Sequence, residues 1–330
     1  MEIAFTEWVA VTDASSVGEV RRTAQLAAQR LKLDETRSGE LALLATEASR
    51  NTLTHGGGGQ VILIGIKTSD GQLVRVLAID KGTGISNLAE AMSDGYSTAG
   101  TPGGGLGAMK RIATRFEIFT GATGTIVLTE LGSTTSTEKL QIAGMAVPYP
   151  GERVSGDEWF SFQEPDRALV LLVDGLGHGY GAAEAAREAV AEFRRRAGLA
   201  PGEILSYIHD ALRKTRGAVA AIAEIRPKEN RLVYAGVGNI SAVVLSGGAS
   251  RSLVSHNGTL GMTVPKIQEF RSDWPSDALL VLHSDGLQSK WDLSPYPGLL
   301  SRHPAVIGSV LLRDFRRQRD DASVIVVKAA

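Results

Sequence analysis

Hydrophobic and polar residues follow two periods along the first part of the chain. A period of about 3.6 residues, which indicates amphipathic helices, occurs at 15–31, 35–53 and 106–114. Alternating or continuous apolar runs, which indicate strands, occur at 2–10, 60–67, 73–79, 116–120 and 125–128. Ser15 and Ser16 are cap candidates for the first helix, and Asp70-Gly71 marks a hairpin turn. The pattern predicts helices on one face of a mixed sheet.

The second part of the chain is richer in strand-like runs. These runs lie at 140–147, 168–173, 219–224, 232–235, 241–245, 278–282 and 323–327. Helical periods lie at 182–197, 203–213 and 305–317. Because many strands are combined with few helices, we predict an α+β sandwich for this part of the chain.

A small polar stretch, GSTTST at 132–137, separates the two patterns and predicts a linker. The chain has 330 residues, and a typical domain size of about 150 residues allows two domains of that length. We therefore predict a two-domain α+β protein. Its N-terminal domain is expected at 1–131 and its C-terminal domain at 138–330.

Composition and charge narrow the classes of function. Lys and Arg together number 35 and Asp and Glu 36, so the net charge of −1 gives no general attraction to nucleic acid or anionic lipid. The longest apolar runs, such as 168–173, are far shorter than the ~20 residues of a membrane helix. The N-terminus is acidic where a secretory signal is basic, and the chain has no cysteine. We expect a cytoplasmic protein that binds neither nucleic acid nor membrane.

Three features of the first half are suited to binding a nucleotide. Glu47 and Asn51 are four residues apart, so both project from one face of the second predicted helix. Asp80 ends an apolar strand and begins the glycine-containing segment DKGTGI. A glycine run, GGGLG at 103–107, then leads into a helix whose free amides can bind phosphate. The chain has no G-x-x-x-x-G-K-[ST] motif, so a nucleotide site here differs from a P-loop.

Taken singly, these features fit a solvated helix face or an ordinary turn. Their order, helix E-x-x-x-N, strand D-x-G-x-G and loop GGGLG, resembles the N, G1 and G2 boxes of the GHKL ATPase and kinase superfamily, which has the Bergerat fold, an α/β sandwich. The stretches ATEASRNTLTHG, DKGTGI and AMSDGYSTAGTPGGGLGAMKR are similar to RsbT-like serine kinases that phosphorylate STAS-domain antagonists. This resemblance covers 1–131 and implies ATP and Mg²⁺ as cofactors.

The same resemblance implies roles for individual residues of the first half. It implies a general base at Glu47, a Mg²⁺ ligand at Asn51 and an adenine-binding carboxylate at Asp80. The nucleotide-binding positions that it implies in the two glycine segments are Gly82, Gly84, Gly105, Leu106 and Gly107.

Four aspartates in the second half lie at predicted strand ends or turns. They occur in the segments SGD, VDGLGHG, HSDGL and RDDAS, as Asp157, Asp174, Asp285 and Asp320. Aspartates that end apolar strands can converge at sheet edges, and carboxylate oxygens are the ligands that Mg²⁺ and Mn²⁺ prefer. Two such ions about 3.5–4 Å apart can activate water and polarise a phosphoryl group. One Asp-Gly pair fits an ordinary turn, but four in this order favour a two-metal site.

The order of these segments is similar to that of metal-dependent phosphatases of the protein phosphatase 2C superfamily, in the SpoIIE and RsbX branch. The resemblance spans 138–330 and implies a β-sandwich flanked by helices that holds two Mn²⁺ or Mg²⁺ ions. The metal ligands that it implies are Asp157, Asp174, Asp285, Asp320 and the backbone carbonyl of Gly175. Asp321 stands where many relatives have Asn, and His178 is interpreted as a neighbour of the ligands.

Together, the two resemblances imply a bifunctional bacterial regulator of partner switching that phosphorylates and dephosphorylates Ser or Thr. The implied partner is a STAS-domain substrate, in the setting of a sigma factor or a stressosome-like assembly. Related kinase folds are commonly dimeric, so the resemblance is compatible with a homodimer. Related anti-sigma kinases carry an arginine just before the last glycine box, where this chain has Gly103. The alternative therefore stays open that the first half senses ATP and binds a partner without catalysing phosphotransfer.

Overall fold

The computed structural model of the chain describes residues 2–68, 71–92, 105–132 and 139–330. Asp70, Gly103 and 133–137, which carry predictions made above, lie outside these ranges. The chain divides into two units, Ile3–Ser136 and Met1–Glu2 with Thr137–Ala330. No helix in the described ranges is both long and apolar enough to cross a membrane.

The first unit is built on one five-stranded sheet. Its strands are β1 (Glu2–Val11), β2 (Gly59–Thr68), β3 (Gly71–Asp80), β4 (Arg115–Gly121) and β5 (Gly124–Gly132). Its helices are α1 (Ala14–Arg30), α2 (Glu35–Thr54), α3 (Leu88–Ala91) and α4 (Gly105–Ile112). The strand order is β1-β2-β3-β5-β4, and β2, β3, β5 and β4 pair as antiparallel neighbours. The predicted helices and strands are all present, and the short α3 was not predicted.

Helices α1 and α2 pack against one face of this sheet, because their buried residues recur every three or four positions. These residues are Val20, Ala24, Ala27, Leu41, Leu44, Ala45 and Ala48. Alternate positions of β2 and β3 meet them, namely Val61, Leu63, Val74, Val76 and Ala78. Glu47 and Asn51 are only partly buried and are not part of this core.

The N-terminal cap of α1 differs from the prediction. The cap residue is Asp13, whose Oδ1 accepts hydrogen bonds from the backbone N–H of Ser15 at 2.8 Å and of Ser16 at 3.1 Å. Ser16 returns a bond by accepting from the backbone N–H of Asp13 at 3.2 Å. Both serines thus donate their backbone N–H groups to the Asp13 carboxylate, and the Ser16 hydroxyl completes a capping box. The prediction that Ser15 or Ser16 is the cap residue was wrong.

The second unit contains two five-stranded antiparallel sheets. Its strands are β6 (Leu140–Val147), β7 (Asp157–Glu164), β8 (Arg167–Gly175), β9 (Ala218–Arg226), β10 (Arg231–Val237), β11 (Ser241–Ser246), β12 (Ala249–Leu253), β13 (Phe270–Asp273), β14 (Leu279–His283) and β15 (Ala322–Ala329). The strand orders are β13-β10-β9-β8-β7 and β12-β11-β14-β15-β6. The two sheets pack against each other where β6 and β15 contact β7 and β8.

Three helices cover the outer faces of this sandwich. Helices α5 (Tyr180–Arg196) and α6 (Pro201–Ala211) pack on the first sheet, and α7 (Pro304–Phe315) packs on the second. The predicted helix at 305–317 extends two residues too far. Arg316 has extended backbone dihedrals, forms a bridge with Leu287 and donates from Nη2 to the carbonyl oxygen of Pro148 at 2.5 Å. These contacts replace the next helical turn.

The strands that the pattern missed are β7, β12 and β13. All three are at sheet edges. An edge strand pairs on one side only and needs fewer apolar side chains, so polar residues interrupt its pattern. This matters for function because β7 begins with Asp157, one of the predicted metal ligands.

Glu224 on β9 anchors a buried ionic network whose loss is expected to destabilise the second unit. Its carboxylate accepts hydrogen bonds from Arg167 Nε at 2.6 Å and Arg226 Nε at 2.8 Å. Burial alone would raise the pKa of Glu224, but the bonds from Arg226 and Arg167 lower it. We expect Glu224→Gln to reduce the free energy of unfolding by about 2–4 kcal/mol at pH 7, because two guanidinium groups lose their counter-charge.

The pH dependence of this effect has a defined sign. A carboxyl with a lowered folded-state pKa stabilises the protein above its unfolded pKa, and this contribution is lost as the pH falls through the folded value. The difference between Glu224→Gln and the parent protein should therefore shrink below about pH 4. Urea unfolding of both proteins from pH 7 to pH 3 measures it, and a difference that does not change with pH would contradict the ionic interpretation.

Candidate functional site

Asp80 is held at the end of β3 by two backbone amides. It is 9% exposed. Its Oδ1 accepts from the N–H of Gly82 at 2.9 Å and of Thr125 at 3.0 Å. A β-carbon added to Gly82 would lie 2.9 Å from the α-carbon of Gly56, so the turn after Asp80 requires glycine at that position. The carboxylate is thus fixed by the turn that follows it and by strand β5.

Two threonines extend this arrangement, and the sequence did not reveal them. Thr120 Oγ1 and Thr125 Oγ1 lie 3.0 Å apart, and Thr120 Oγ1 also accepts from the N–H of Ile85 at 2.8 Å. Gly84 has a φ of +78°, and a β-carbon there would lie 2.3 Å from the carbonyl oxygen of Gly121. Thr120 and Thr125 are distant from Asp80 along the chain, so only the pairing of β3, β5 and β4 brings them together.

Asn51 lies beside the first residue of α4. A β-carbon added to Gly105 would be 4.0 Å from Asn51 Nδ2. One turn earlier on α2, Glu47 Oε1 accepts from Arg50 Nη1 at 2.8 Å, and the Glu47 side chain is 17% exposed. The predicted pair, the Glu47 carboxylate and the Asn51 amide, therefore lies on one face of α2. Within this pair, Asn51 is the residue that lies next to the glycine-rich start of α4.

The last three residues of the glycine run, Gly105, Leu106 and Gly107, lie at the start of the described part of α4. The prediction starts this helix at Leu106. The N–H groups of a first helical turn have no acceptor inside the helix, and they attract anions. Small residues in this turn leave its backbone accessible to a phosphate group.

In the second unit, Asp157 and Asp174 are direct neighbours across two strands. Asp157 opens β7, Asp174 lies near the end of β8, and the two residues are paired in the antiparallel register. Asp157 is 3% exposed, and its Oδ2 accepts from Ser323 Oγ at 2.7 Å. The next residue, Gly175, must be glycine, because a β-carbon there would lie 2.2 Å from the carbonyl oxygen of Ala182 in α5. Strand pairing thus places two carboxylates side by side.

Three further carboxylates come from the second sheet. Asp285 follows β14 and its Oδ2 accepts from Asn239 Nδ2 at 2.8 Å. Asp320 and Asp321 precede β15, and Asp321 Oδ1 accepts from the N–H of Tyr149 at 2.7 Å. Asp174, Asp285 and Asp320 line one cleft of about 500 Å³ together with Asn239. The structure therefore brings the four predicted aspartates to one region of this unit.

The carboxylates of this region perturb one another. Burial raises the pKa of Asp157 to about 7, despite opposing hydrogen bonds from Ser284 and Ser323. Burial raises the pKa of Asp174 to about 9, and repulsion from Asp157, Asp285, Asp320 and Asp321 adds to it. Burial also raises the pKa values of Asp320 and Asp321. These shifts indicate a site with excess negative charge, which a cation would neutralise.

The carboxylate oxygens of this region are chemically suited to a divalent cation, although they do not converge on a single point in the structure. Within the described ranges, no group of three or more His, Asp or Glu side chains is arranged to hold an ion as it stands. Asp157 and Asp285 are turned toward Ser323 and Asn239, while the buried Oδ2 of Asp321 has no hydrogen-bond partner. Carboxylate oxygens with raised pKa values that share one cleft are suited to Mg²⁺ or Mn²⁺.

His178 lies outside the set of carboxylates. Its ring stacks on Tyr149 with 4.6 Å between centroids, and its Nδ1 lies 3.0 Å from Glu152 Oε1. The side chain is 52% exposed. It therefore belongs to the rim beside the carboxylates, where the sequence placed it.

Sequence reasoning missed Asn239, Ser284 and Ser323 as neighbours of the site. Ser284 and Ser323 lie in HSDGL and RDDAS, the segments of Asp285 and Asp320, whereas Asn239 lies in none of the aspartate segments. Their hydrogen bonds to Asp285 and Asp157 depend on contacts between distant strands. The motifs pointed to the segments that contain Ser284 and Ser323, but the partners of these side chains could not be assigned without the fold.

Two family models match the chain. The model for Stage II sporulation protein E (SpoIIE) matches residues 164–330, just over half of the chain. The model for the histidine kinase-like ATPase domain matches residues 10–130. The two matches fall on the halves that carry the aspartate segments and the glycine segments, respectively.

Individual relatives divide in the same way. The serine/threonine-protein kinase RsbT of Bacillus subtilis (strain 168) is 26% identical over 113 residues, which are 34% of this chain and 80% of RsbT. The phosphoserine phosphatase RsbX of the same strain is 25% identical over 138 residues, which are 42% of this chain and 69% of RsbX.

Solved structures support the fold. A crystal structure of RsbX in complex with magnesium has a TM-score of 0.53 at 20% identity, covering 66% of this chain and all of that one. A chain from a structure of the bacterial stressosome, a modular system adapted to control secondary messenger signalling, has a TM-score of 0.53 at 28% identity, covering 58% of this chain and all of that one.

These matches confirm the predicted fold class, a Bergerat-type ATPase α/β sandwich followed by a protein phosphatase 2C-like β-sandwich flanked by helices. The family match and the similarity to RsbX also support phosphatase chemistry in the second half. The chain therefore belongs to the SpoIIE family and carries a histidine kinase-like ATPase domain ahead of its phosphatase domain.

Proposed function

We propose that the second half of the chain, 138–330, is a metal-dependent phosphatase for phosphoserine or phosphothreonine in a protein. This proposal rests on one observation. Asp157, Asp174, Asp285 and Asp320 lie in one region of the second unit, and burial raises the pKa values of Asp157 and Asp174. The similarity to the phosphoserine phosphatase RsbX supports the substrate class.

The residues of this chain would hold two Mg²⁺ or Mn²⁺ ions in the cleft. The ligands would be the carboxylates of Asp157, Asp174, Asp285 and Asp320 and the carbonyl oxygen of Gly175. Bound divalent ions supply an activated water and an electrophile for the phosphoryl oxygen. Ser323 and Asn239 would orient Asp157 and Asp285 through the hydrogen bonds described above. The dry strand-end position of Asp157 keeps bulk water from competing for it.

The first half, 1–131, is proposed to bind ATP with Mg²⁺ and to transfer its γ-phosphoryl group to a serine or threonine. Asp80, fixed by two backbone amides, would accept a hydrogen bond from the adenine amino group. Gly82 and Gly84 would shape the turn beside the base, and the first turn of α4, Gly105 to Gly107, would bind phosphate. Asn51 would hold Mg²⁺ at the same end of α4.

In the transfer step, Glu47 would take the proton of the substrate hydroxyl. The hydroxyl oxygen then forms a bond to the γ-phosphorus, the bond from that phosphorus to the β,γ-bridging oxygen breaks, and ADP leaves. The proposed substrate is a STAS-domain protein of a partner-switching system, in a sigma-factor or stressosome-like setting, and the second half would remove the same kind of phosphate. The similarity to RsbT and to a stressosome structure supports this choice. We also propose that the protein acts in the cytoplasm, as a homodimer, with 132–137 as a linker.

One observation favours a second candidate function for the first half. Glu47 is engaged in an ion pair with Arg50, which occupies one carboxylate oxygen of the proposed base. In this alternative, the first half binds ATP and a partner protein but transfers no phosphate, and the chain is a phosphatase controlled by a nucleotide.

Transfer of label from [γ-³²P]ATP distinguishes the two candidates. The Asp174→Asn protein is incubated with Mg²⁺, labelled ATP and a lysate of the source organism, so that its own phosphatase cannot remove the product. We expect a labelled protein of STAS-domain size. Adding Glu47→Gln to the same chain should lower the labelling rate by about 10²-fold or more, because a general base contributes roughly that factor.

The matched control for Glu47→Gln is Glu40→Gln on the same helix, which removes a half-exposed carboxylate near its start. Nucleotide binding is measured for all three proteins with a fluorescent ATP analogue. Label that persists at full rate in Glu47→Gln contradicts the role of Glu47. Nucleotide binding without any Glu47-dependent label supports the ATP-sensing alternative.

A further inference from the structure

Arg216 places a cation beside the cleft that is lined by the carboxylates. Among the residues that the structure describes, its guanidinium has no hydrogen-bond or ion-pair partner. The arginine three positions earlier, Arg213, pairs with Asp210 at 3.1 Å. The roles assigned so far to the carboxylates and their partners do not use Arg216.

The guanidinium lies against the segment that follows the central aspartate of the site. A β-carbon added to Gly177 would be 3.4 Å from Arg216 Nη1, and one added to Gly181 would be 2.6 Å from its Nε. Gly177 and Leu176 line the cleft with Asp174. Two glycines therefore make room for an arginine at the edge of this cleft.

The backbone that carries Arg216 is fixed on both sides. Thr215 Oγ1 donates to the carbonyl oxygen of Leu212 at 2.8 Å and accepts from the N–H of Gly217 at 3.0 Å. The carbonyl oxygen of Gly217 accepts from the N–H of Leu176, a cleft residue, at 3.1 Å. Gly217 has a φ of +81°, and a β-carbon there would lie 2.6 Å from the carbonyl oxygen of Leu260. Arg216 thus lies in a turn whose backbone is fixed by hydrogen bonds, one of which connects it to Leu176 at the cleft.

A substrate phosphate entering this cleft meets an excess of negative charge. The carboxylates repel a phosphate dianion, and bound cations can offset only part of that repulsion locally. A planar guanidinium can donate two parallel hydrogen bonds to phosphate oxygens, and no described carboxylate competes for the one of Arg216.

We propose that Arg216 binds the phosphoryl group of the substrate, and the phosphate product, at the edge of the metal cleft. The inference rests on the proposed phosphatase function and adds a substrate-binding residue to it. Arg216 is not a metal ligand in this scheme, so its loss affects the affinity for phosphate and leaves the affinity for metal unchanged.

The test compares Arg216→Ala and Arg216→Lys with Arg213→Ala in the full-length protein loaded with Mn²⁺. Hydrolysis of p-nitrophenyl phosphate gives KM and kcat, and inhibition by orthophosphate gives Ki. For Arg216→Ala we expect KM and Ki to rise together by about 10- to 100-fold, because a charge-assisted pair is lost, while kcat changes by less than about 3-fold. Lys should recover part of the affinity, and Arg213→Ala should match the parent protein.

Other results have distinct meanings. If KM and Ki are unchanged in Arg216→Ala, Arg216 does not bind phosphate and the inference is overturned. If Tm and Mn²⁺ affinity fall together with kcat, Arg216 only stabilises the segment of Gly177 and Gly181 against which it packs. That result also overturns the inference. If the parent protein itself has no Mn²⁺-dependent activity, the proposed function fails first and this inference fails with it.

Discussion

Replacing Asp174 by Asn is expected to abolish metal-dependent phosphatase activity, lowering kcat/KM on the order of 10³-fold or more. Asp174 is paired with Asp157 on the neighbouring strand and lines the cleft with Asp285 and Asp320, so it is coupled electrostatically to the other predicted ligands. Asparagine has the same shape but cannot supply the negative charge that two divalent ions need. The measurement is Mn²⁺-dependent hydrolysis of a phosphoserine peptide, with Mn²⁺ binding followed by calorimetry.

The matched control is Asp166→Asn, which changes a half-exposed carboxylate in the turn between β7 and β8 that pairs with Lys139 and Lys228. We expect it to retain full activity. Equal loss of activity in both variants would contradict a specific role for Asp174, and so would full activity of Asp174→Asn.

The Tm of metal-free Asp174→Asn, compared with that of the metal-free parent protein, shows whether the variant is folded, and the direction of the expected difference follows from the pKa of Asp174. A carboxyl whose folded-state pKa is raised to about 9 keeps its proton when folded but loses it when unfolded, so it costs stability increasingly as the pH rises above about 4. Asparagine removes this cost. We expect the metal-free variant to have a higher Tm than the metal-free parent at pH 8, by roughly 5 °C or more, and a similar Tm at pH 4. A lower Tm at pH 8 would indicate damage to the fold.

Replacing Asp80 by Asn is expected to remove most ATP binding by the first half. The carboxylate would accept a hydrogen bond from the adenine amino group, whereas an asparagine side chain can present its own NH₂ group there and repel it. We expect the Kd for ATP to rise by about 10²-fold, the scale of one hydrogen bond to a charged group. The measurement is calorimetric titration of ATP with Mg²⁺ into the purified full-length protein.

The structure indicates that this variant can fold. Asp80 Oδ1 accepts from the N–H groups of Gly82 and Thr125, and the oxygen of asparagine can accept the same two bonds. Asp13→Asn is the matched control, because it changes an aspartate that caps α1 into another good cap residue. Phosphatase activity should be unchanged in both variants. Unchanged ATP affinity in Asp80→Asn would contradict the proposed adenine contact.

The sequence was informative about the first unit because its signals are local. The helical spacing of Leu41, Leu44 and Ala48 predicts α2, and the same spacing places Glu47 and Asn51 off the core. Asp80 could be found because it ends an apolar strand and begins a turn that needs glycine at Gly82. Thr125 could not be found, because its bond to Asp80 depends on the register of β3 and β5.

In the second unit, edge strands and long-range contacts limited the prediction. The aspartates at 174, 285 and 320 follow or precede clearly apolar runs, so their positions at strand ends could be predicted. Strand β7 was missed because an edge strand tolerates polar residues, and the pairing of Asp157 with Asp174 was missed with it. The end of α7 was also misplaced, since the bond from Arg316 to Pro148 joins segments distant in sequence.

The sequence by itself determined most of the helices and strands and their order, the two-domain α+β class and the segments that are candidates for the chemistry. These follow from periodicity, turn residues and motif order, which are properties of neighbouring residues. Only the tertiary structure decided which carboxylates share a cleft, which of them have pKa values raised by burial, and that Arg216 lies beside them with no partner among the described residues. Burial, strand register and mutual repulsion set those properties, and they exist only once distant parts of the chain are packed together.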